Sequence, residues 1–237
     1  MVGETPKVSG PGRKMLVSDF DGTMTRNDFY QLVAARLLPP GTPDFWAEYR
    51  AGRITHFEAL RSYFLAARPG EHALVDLYHD MKLDPDLRAG LVSLKSAGWS
   101  VVVASAGCLW YIDRLLREAG ARDLMEVHAN LGHIAGGRLV MELPQQSPFF
   151  SPEVGIDKPA IVREALKSSD VVAFAGDGPP DVEPALLVDP AWRFATGFLA
   201  EELTRRGEGF RPFERWGEVA RVLVAPLNNT SAGESPG

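Results

Sequence analysis

Short, uninterrupted apolar runs along this chain alternate with longer stretches whose apolar residues recur every three or four positions. The runs at 15–17, 99–104 and 171–175 are continuous rather than alternating, which predicts strands covered on both faces. Between the first two runs the pattern turns helical and is cut by breakers. Helices are predicted over 31–38, stopped by Pro39-Pro40-Gly41, over 44–51, stopped by Gly52, over 55–67, stopped by Pro69-Gly70, and over 71–81. Phe57, Leu60, Phe64 and Leu65 give the third of these an apolar face.

From residue 84 onward helix and strand alternate. Helices are expected at 86–97, 109–119, 159–167, 181–187, 199–206 and 216–223, a short strand at 192–195, and a hairpin within 124–143 turning at Gly136-Gly137; 144–155 reads as a loop. The alternation predicts an α/β fold, a doubly wound, Rossmann-like parallel sheet with a small helical insert. Its parts are a leader over 1–13, a core formed by 14–27 with 83–227, a helical cap over 28–82, and a disordered polar tail over 228–237.

Composition narrows the classes of function. The net charge of −6 over 237 residues gives no basic surface for nucleic acid or anionic lipid. No apolar run approaches the ~18 residues that cross a bilayer, and residues 1–14 carry no apolar signal segment, so a cytoplasmic protein without a membrane partner is expected. One cysteine, Cys108, excludes an intrachain disulfide and a cysteine-based metal cluster, and the five histidines form no pair at ligand spacing on a convincing helix.

The polar residues with chemical promise fall at strand ends. Asp19 and Asp21, at spacing two before Gly22, point to one side of an extended segment, although an Asp-Gly turn alone would account for them. Ser105 ends the second strand, where its hydroxyl and the N–H groups of Ala106 and Gly107 suit a phosphate oxygen or, more simply, a helix cap. Lys158 opens a helix, a position the helix dipole disfavours for a cation. Asp177, between Gly176 and Gly178, ends the third strand, with Asp181 four residues on. Carboxylates crowded at one edge repel unless a cation lies among them, and hard oxygen donors point to Mg²⁺.

Taken in this order, Asp19-Phe20-Asp21-Gly22-Thr23, Ser105, Lys158 and Gly176-Asp177-Gly178 with Asp181 resemble the haloacid dehalogenase-like superfamily of phosphotransferases, over about residues 13–225. The resemblance implies a phosphatase in which Asp19 is the nucleophile and becomes an aspartyl-phosphate, and Asp21 is general acid and then base. It implies Mg²⁺ held by Asp19, the backbone carbonyl of Asp21 and Asp177, with Asp181 acting through a metal-bound water or by orienting Lys158. Ser105 and Lys158 would hold the phosphoryl oxygens of a small phosphate ester. Asp28 stands where related phosphoserine phosphatases usually carry a substrate-reading glutamate, and Tyr63 where they usually carry a carboxylate-binding arginine, a departure that weakens that substrate. The segment from Arg53 to Leu60 and the stretch Gly176 to Ala185 look more like the branch containing a methionine-salvage phosphatase.

Other classes fit less well. Cys108 and Arg114 have the spacing of cysteine-dependent phosphatases, but the bulky residues between them read as helix rather than as a phosphate-wrapping loop. A phospho-accepting signalling module is about half this length and lacks both the insert and the paired acids. A non-catalytic binding protein would not need every key acid, and a phosphomutase differs from a hydrolase only in its product.

Overall fold

The computed structural model describes residues 12–67 and 69–225. The expected leader, apart from residues 12 and 13, and the expected tail therefore lie outside the described residues. β1 (Lys14–Ser18) is followed by four helices, α1 (Phe29–Arg36), α2 (Phe45–Arg50), α3 (His56–Ala66) and α4 (Glu71–His79). Then come α5 (Leu87–Ser96), β2 (Trp99–Cys108), α6 (Leu109–Glu118), β3 (Glu126–Ala135) and β4 (Arg138–Glu142). The two-residue strands β5 (Phe150–Ser151) and β6 (Gly155–Ile156) precede α7 (Lys158–Ser168) and β7 (Val171–Gly176). The described chain closes with α8 (Val182–Leu186), β8 (Arg193–Ala195), α9 (Gly197–Arg206), β9 (Arg211–Pro212) and α10 (Trp216–Val224).

Seven strands form one sheet in the order β4-β3-β2-β1-β7-β8-β9, parallel except for the antiparallel β3–β4 pair. Because both faces are covered, successive residues of the central strands enter opposite cores. Leu16, Val101, Val103, Ala173 and Ala175 face one side with Leu91, Trp216 and Val219 of α5 and α10; Val17, Val102, Ala104, Val172 and Phe174 face the other with Ile161, Val162, Leu199 and Leu203 of α7 and α9. This explains the continuous apolar runs of the central strands, whose middles have both faces covered.

β1 pairs with β2 on one flank and β7 on the other, Val17 lying between Val102 and Phe174. The chain thus leaves the middle of the sheet in two directions, and the crevice beyond the strands' C-terminal ends at such a point is where open α/β sheets bind ligands.

Helices α1–α4 leave and rejoin the sheet through neighbouring segments. Thr25 bridges to Leu83, Arg26 N–H donates to Lys82 O at 3.0 Å, and Asp84 N–H donates to Met24 O at 2.9 Å. Side chains fix the helix starts as their cap chemistry demands. Asp28 Oδ1 accepts from Gln31 N–H at 2.8 Å, Asp44 Oδ1 accepts from Ala47 N–H at 2.9 Å, and Thr55 and Glu58 form a reciprocal capping box.

Three expectations are corrected. β2 continues to Cys108 through an irregularity after Ala104, so Ser105 lies within the strand and neither caps nor immediately precedes α6. The loop 144–155 contains β5 and the start of β6, paired with each other, and Arg211–Pro212 adds an edge strand. Strands of two residues carry too little pattern to be read from sequence. Among the described residues no helix is long and apolar enough to cross a membrane.

Candidate active site

Asp19 directly follows β1, and its N–H continues the ladder by donating to Ala175 O at 2.8 Å. β7 delivers Asp177 beside it, held by the Thr23 hydroxyl, which donates to Asp177 Oδ1 at 2.7 Å. Gly22 makes this approach possible: its φ is +72°, and a Cβ there would collide with Asp177 Oδ2. Asp177 is fixed from the far side as well, because its carbonyl accepts from Leu199 N–H at 2.8 Å.

Lys158, the first residue of α7, is 3% exposed, and its Nζ lies 2.9 Å from Asp19 Oδ1 and 2.7 Å from Asp181 Oδ1. Asp157 caps the helix through Ala160 N–H at 2.8 Å, which leaves Lys158 free to turn inward. Asp181 is fully buried, and its second oxygen accepts from Asp177 N–H at 3.0 Å and Gly178 N–H at 2.9 Å. Of the two expected contributions of Asp181, the geometry builds the contact that orients Lys158.

Oxygens of Asp19, Asp177 and Asp181 lie within 4.8 Å of one another. Asp181 spends both oxygens on donors, whereas Asp19 and Asp177 each keep one oxygen free of the contacts described. One ammonium faces three carboxylates here. Like charges ~4 Å apart repel by roughly 4 kcal/mol at an effective dielectric near 20, so the donor set fits a hard divalent cation. Burial, then repulsion from Asp181, raises the Asp177 carboxyl to about 7. Burial and the same neighbour raise Asp19 well above the usual carboxylate range, against the pull of Lys158. Burial depresses the Lys158 ammonium, but Asp181 and Asp19 outweigh it and the net shift is upward.

The Asp21 carboxylate is turned away from this cluster. Its Oδ1 accepts from Phe29 N–H at 3.2 Å; its Oδ2 accepts from the Tyr111 hydroxyl at 2.9 Å and more weakly from Ser105 Oγ at 3.3 Å. Burial, then the charge of Asp28, raises its carboxyl to about 7, a value suited to giving and taking a proton near neutrality. Any share of Asp21 in holding a metal thus falls to its backbone, not its carboxylate.

These groups share a cavity of about 460 Å³ that runs from the strand ends into the helical segment. Ser105, Ala106, Gly107 and Asp28 also line it. Gly107 N–H donates to Ser105 Oγ at 2.9 Å, so that donor is occupied rather than open. Asn130 Nδ2 holds Ala106 O at 2.8 Å.

Two expected specificity residues do not reach the cavity wall. Arg53 is exposed and ion-paired with Glu48. Tyr63 packs behind Tyr30 and Trp46 and donates its hydroxyl to Asp44 Oδ1 at 3.1 Å. The wall is formed instead by Tyr30, Trp46, Tyr49, Arg50 and His56, with Leu60 and Phe64. The sequence reading assigns no site role to Tyr111 or to these wall residues, and takes Leu60 and Phe64 only as an apolar helix face. Tyr111 carried one signal, a hydroxyl on the apolar face of a helix, which must find a partner once buried.

Cys108 is no nucleophile. Its thiol is buried, burial pushes it up to about 12, and Arg114 stacks on Trp110 at 4.5 Å instead of facing it.

Comparison with known proteins agrees with this geometry. A model of the haloacid dehalogenase-like hydrolase family matches residues 16–185. A 2-hydroxy-3-keto-5-methylthiopentenyl-1-phosphate phosphatase of Bacillus pumilus is 22% identical, the match covering 94% of this chain and 99% of that one. Its namesake in Bacillus velezensis is 24% identical, covering 86% and 87%. Among solved structures, a substrate-bound phosphoserine phosphatase superposes with a TM-score of 0.64 at 16% identity, covering 90% of this chain and 99% of that one. A hydrolase from Salmonella enterica serovar Typhi superposes at 0.65 with 15% identity, covering 93% and 73%. At these identities the structural likenesses speak for the fold.

Proposed function

Because the chain belongs to the haloacid dehalogenase-like hydrolase family, we propose that it is a Mg²⁺-dependent phosphatase that hydrolyses a small phosphate monoester through a phosphorylated Asp19. The single observation that carries this reading is that Asp19, Asp21, Lys158 and Asp177 line one cavity at the strand ends.

In this reading Asp19 attacks phosphorus in line, forming the acyl-phosphate bond as the ester P–O bond breaks. Asp21, protonated, gives its proton to the leaving alcohol; as carboxylate it then takes one from the water that cleaves the intermediate and releases phosphate. Phe29 N–H and Tyr111 hold Asp21 in place for both transfers. Lys158 keeps the nucleophile aimed and offsets charge growing on the phosphoryl oxygens, where Ser105 adds a hydroxyl. Asp19 and Asp177, with the backbone of Asp21, would hold Mg²⁺, which when bound lets an anionic nucleophile approach an anionic phosphate.

Helices α1–α4, within residues 28–82, act as a cap over a core made of the described parts of 14–27 and 83–225, and supply the walls that read the alcohol. The relatives named above make 2-hydroxy-3-keto-5-methylthiopentenyl-1-phosphate the first ester to try. Phosphate release from a panel of small esters with and without Mg²⁺ tests the reading. Release that needs Mg²⁺ and is lost in Asp19→Asn is expected; a flat panel would overturn it.

A further inference from the structure

Beyond the strand ends, the cavity holds one side chain whose polar capacity nothing satisfies. His56, the first residue of α3, lines the wall, and its Nδ1 is buried with no hydrogen-bond partner among the described residues. Nε2 has no hydrogen-bond partner among the described residues either and is not fully buried, on a ring that lines the cavity. Burial, with a contribution from Lys158, depresses the imidazole to about 4, leaving the ring neutral near pH 7. Orphaned buried N–H groups are rarer in proteins than under-satisfied acceptors, so we place the single proton on Nε2, where it is a donor.

The ring is also held in place. Trp46 and Tyr49 flank it with centroids at 5.1 and 5.6 Å. Phe57, the next residue, donates its N–H to Glu153 O at 3.0 Å, tying this turn of the helix to the loop beside β6. For a substrate carboxylate this part of the cavity offers Arg50, which already pairs with Asp44 at 3.2 Å, and the acid Asp28, which would repel it.

We propose that His56 is a specificity-determining residue that donates a hydrogen bond to an uncharged oxygen, carbonyl or hydroxyl, of the leaving alcohol, while Trp46 and Tyr49 cover the apolar part next to it. The preferred substrate class is then a phosphate ester of an uncharged, partly apolar hydroxy- or keto-alcohol, not of an amino acid. This rests on the phosphatase reading above.

The test compares three esters on the Mg²⁺-loaded full chain: dihydroxyacetone phosphate, which carries a carbonyl and a hydroxyl; phenyl phosphate, which carries neither; and O-phosphoserine. Wild type is expected to favour dihydroxyacetone phosphate over O-phosphoserine by tenfold or more in kcat/KM. In His56→Ala the dihydroxyacetone phosphate to phenyl phosphate ratio should fall roughly tenfold, through KM, as expected for loss of one neutral hydrogen bond. His56→Gln, which keeps an amide donor near the Nε2 position, should recover part of that ratio. An unchanged ratio in both variants, or a loss equal for all three esters, overturns the role of His56 while leaving the phosphatase intact. Absence of hydrolysis by wild type of these three esters and of the wider panel overturns both.

Discussion

Lys158 Nζ stands 2.9 Å from Asp19 Oδ1, so the proposed nucleophile already carries its counter-ion before any ester arrives. Asp181, on the other side of the ammonium at 2.7 Å and itself held by two backbone N–H groups, fixes the lysine against rotation. A buried cation this constrained is a positioned electrostatic device, and its cost in desolvation is offset by two carboxylates.

Replacing Lys158 by Met should therefore do two kinds of damage. Hydrolysis is expected to fall by about 10²–10³, the scale seen when an oxyanion-type donor is removed. Leaving Asp19 and Asp181 buried without their cation should cost about 3–5 kcal/mol in a urea melt at neutral pH. Wild-type turnover in this variant would remove Lys158 from the mechanism.

Tyr111→Phe addresses Asp21. Hydrogen bonds to the ionised carboxylate lower its pKa, so losing this one should raise it further above about 7. Asp21 must be protonated to serve as acid; the alkaline fall of the kcat profile should accordingly move to higher pH, by up to about one unit. A shift to lower pH would show that the hydroxyl acts otherwise.

Gly22→Ala tests the close approach of Asp177. The left-handed φ of +72° costs an L-residue about 1–2 kcal/mol, and the methyl would push Asp177 from its place. A Mg²⁺ titration followed by calorimetry should show weakened binding, while Gly41→Ala, also at positive φ but with open space around it, should bind as wild type does.

Stability should also report the acid cluster. Asp21 and Asp177 have carboxyls raised from 3.8 to about 7 in the folded chain. The folded state therefore binds more protons than the unfolded one between these values, and metal-free protein should lose stability as pH rises from about 4 to about 7. Mg²⁺ relieves the repulsion and should raise Tm more at pH 8 than at pH 5, by an amount set by [Mg²⁺]/Kd. Scanning calorimetry with and without EDTA checks both trends; equal Tm gains at the two pH values would contradict them.

Much of this site was legible in the sequence because parallel sheets put function at strand ends, and Asp19, Lys158, Asp177 and Asp181 each stand where a strand stops or a helix begins. The sheet core was legible for a related reason: covered on both faces, the middles of β1, β2 and β7 are runs of apolar residues. Ser105 was harder, since its strand carries an irregularity that no apolar count reveals and runs on to Cys108, although α6 begins at Leu109 as expected. His56, Trp46 and Tyr49 were out of reach because their meaning depends on how α2 and α3 face the sheet. Arg53 shows the converse: a cation in an attractive stretch was claimed locally by Glu48, five residues before it.

The central claim is that phosphate passes through Asp19. Wild-type protein mixed with Mg²⁺ and a hydrolysed ester, quenched in acid during turnover and digested, should yield one phosphorylated peptide, carrying its phosphoryl group on Asp19 by mass spectrometry; Asp19→Asn should yield none and release no phosphate. A phosphoryl group on another residue, or full phosphate release by Asp19→Asn, would contradict the account.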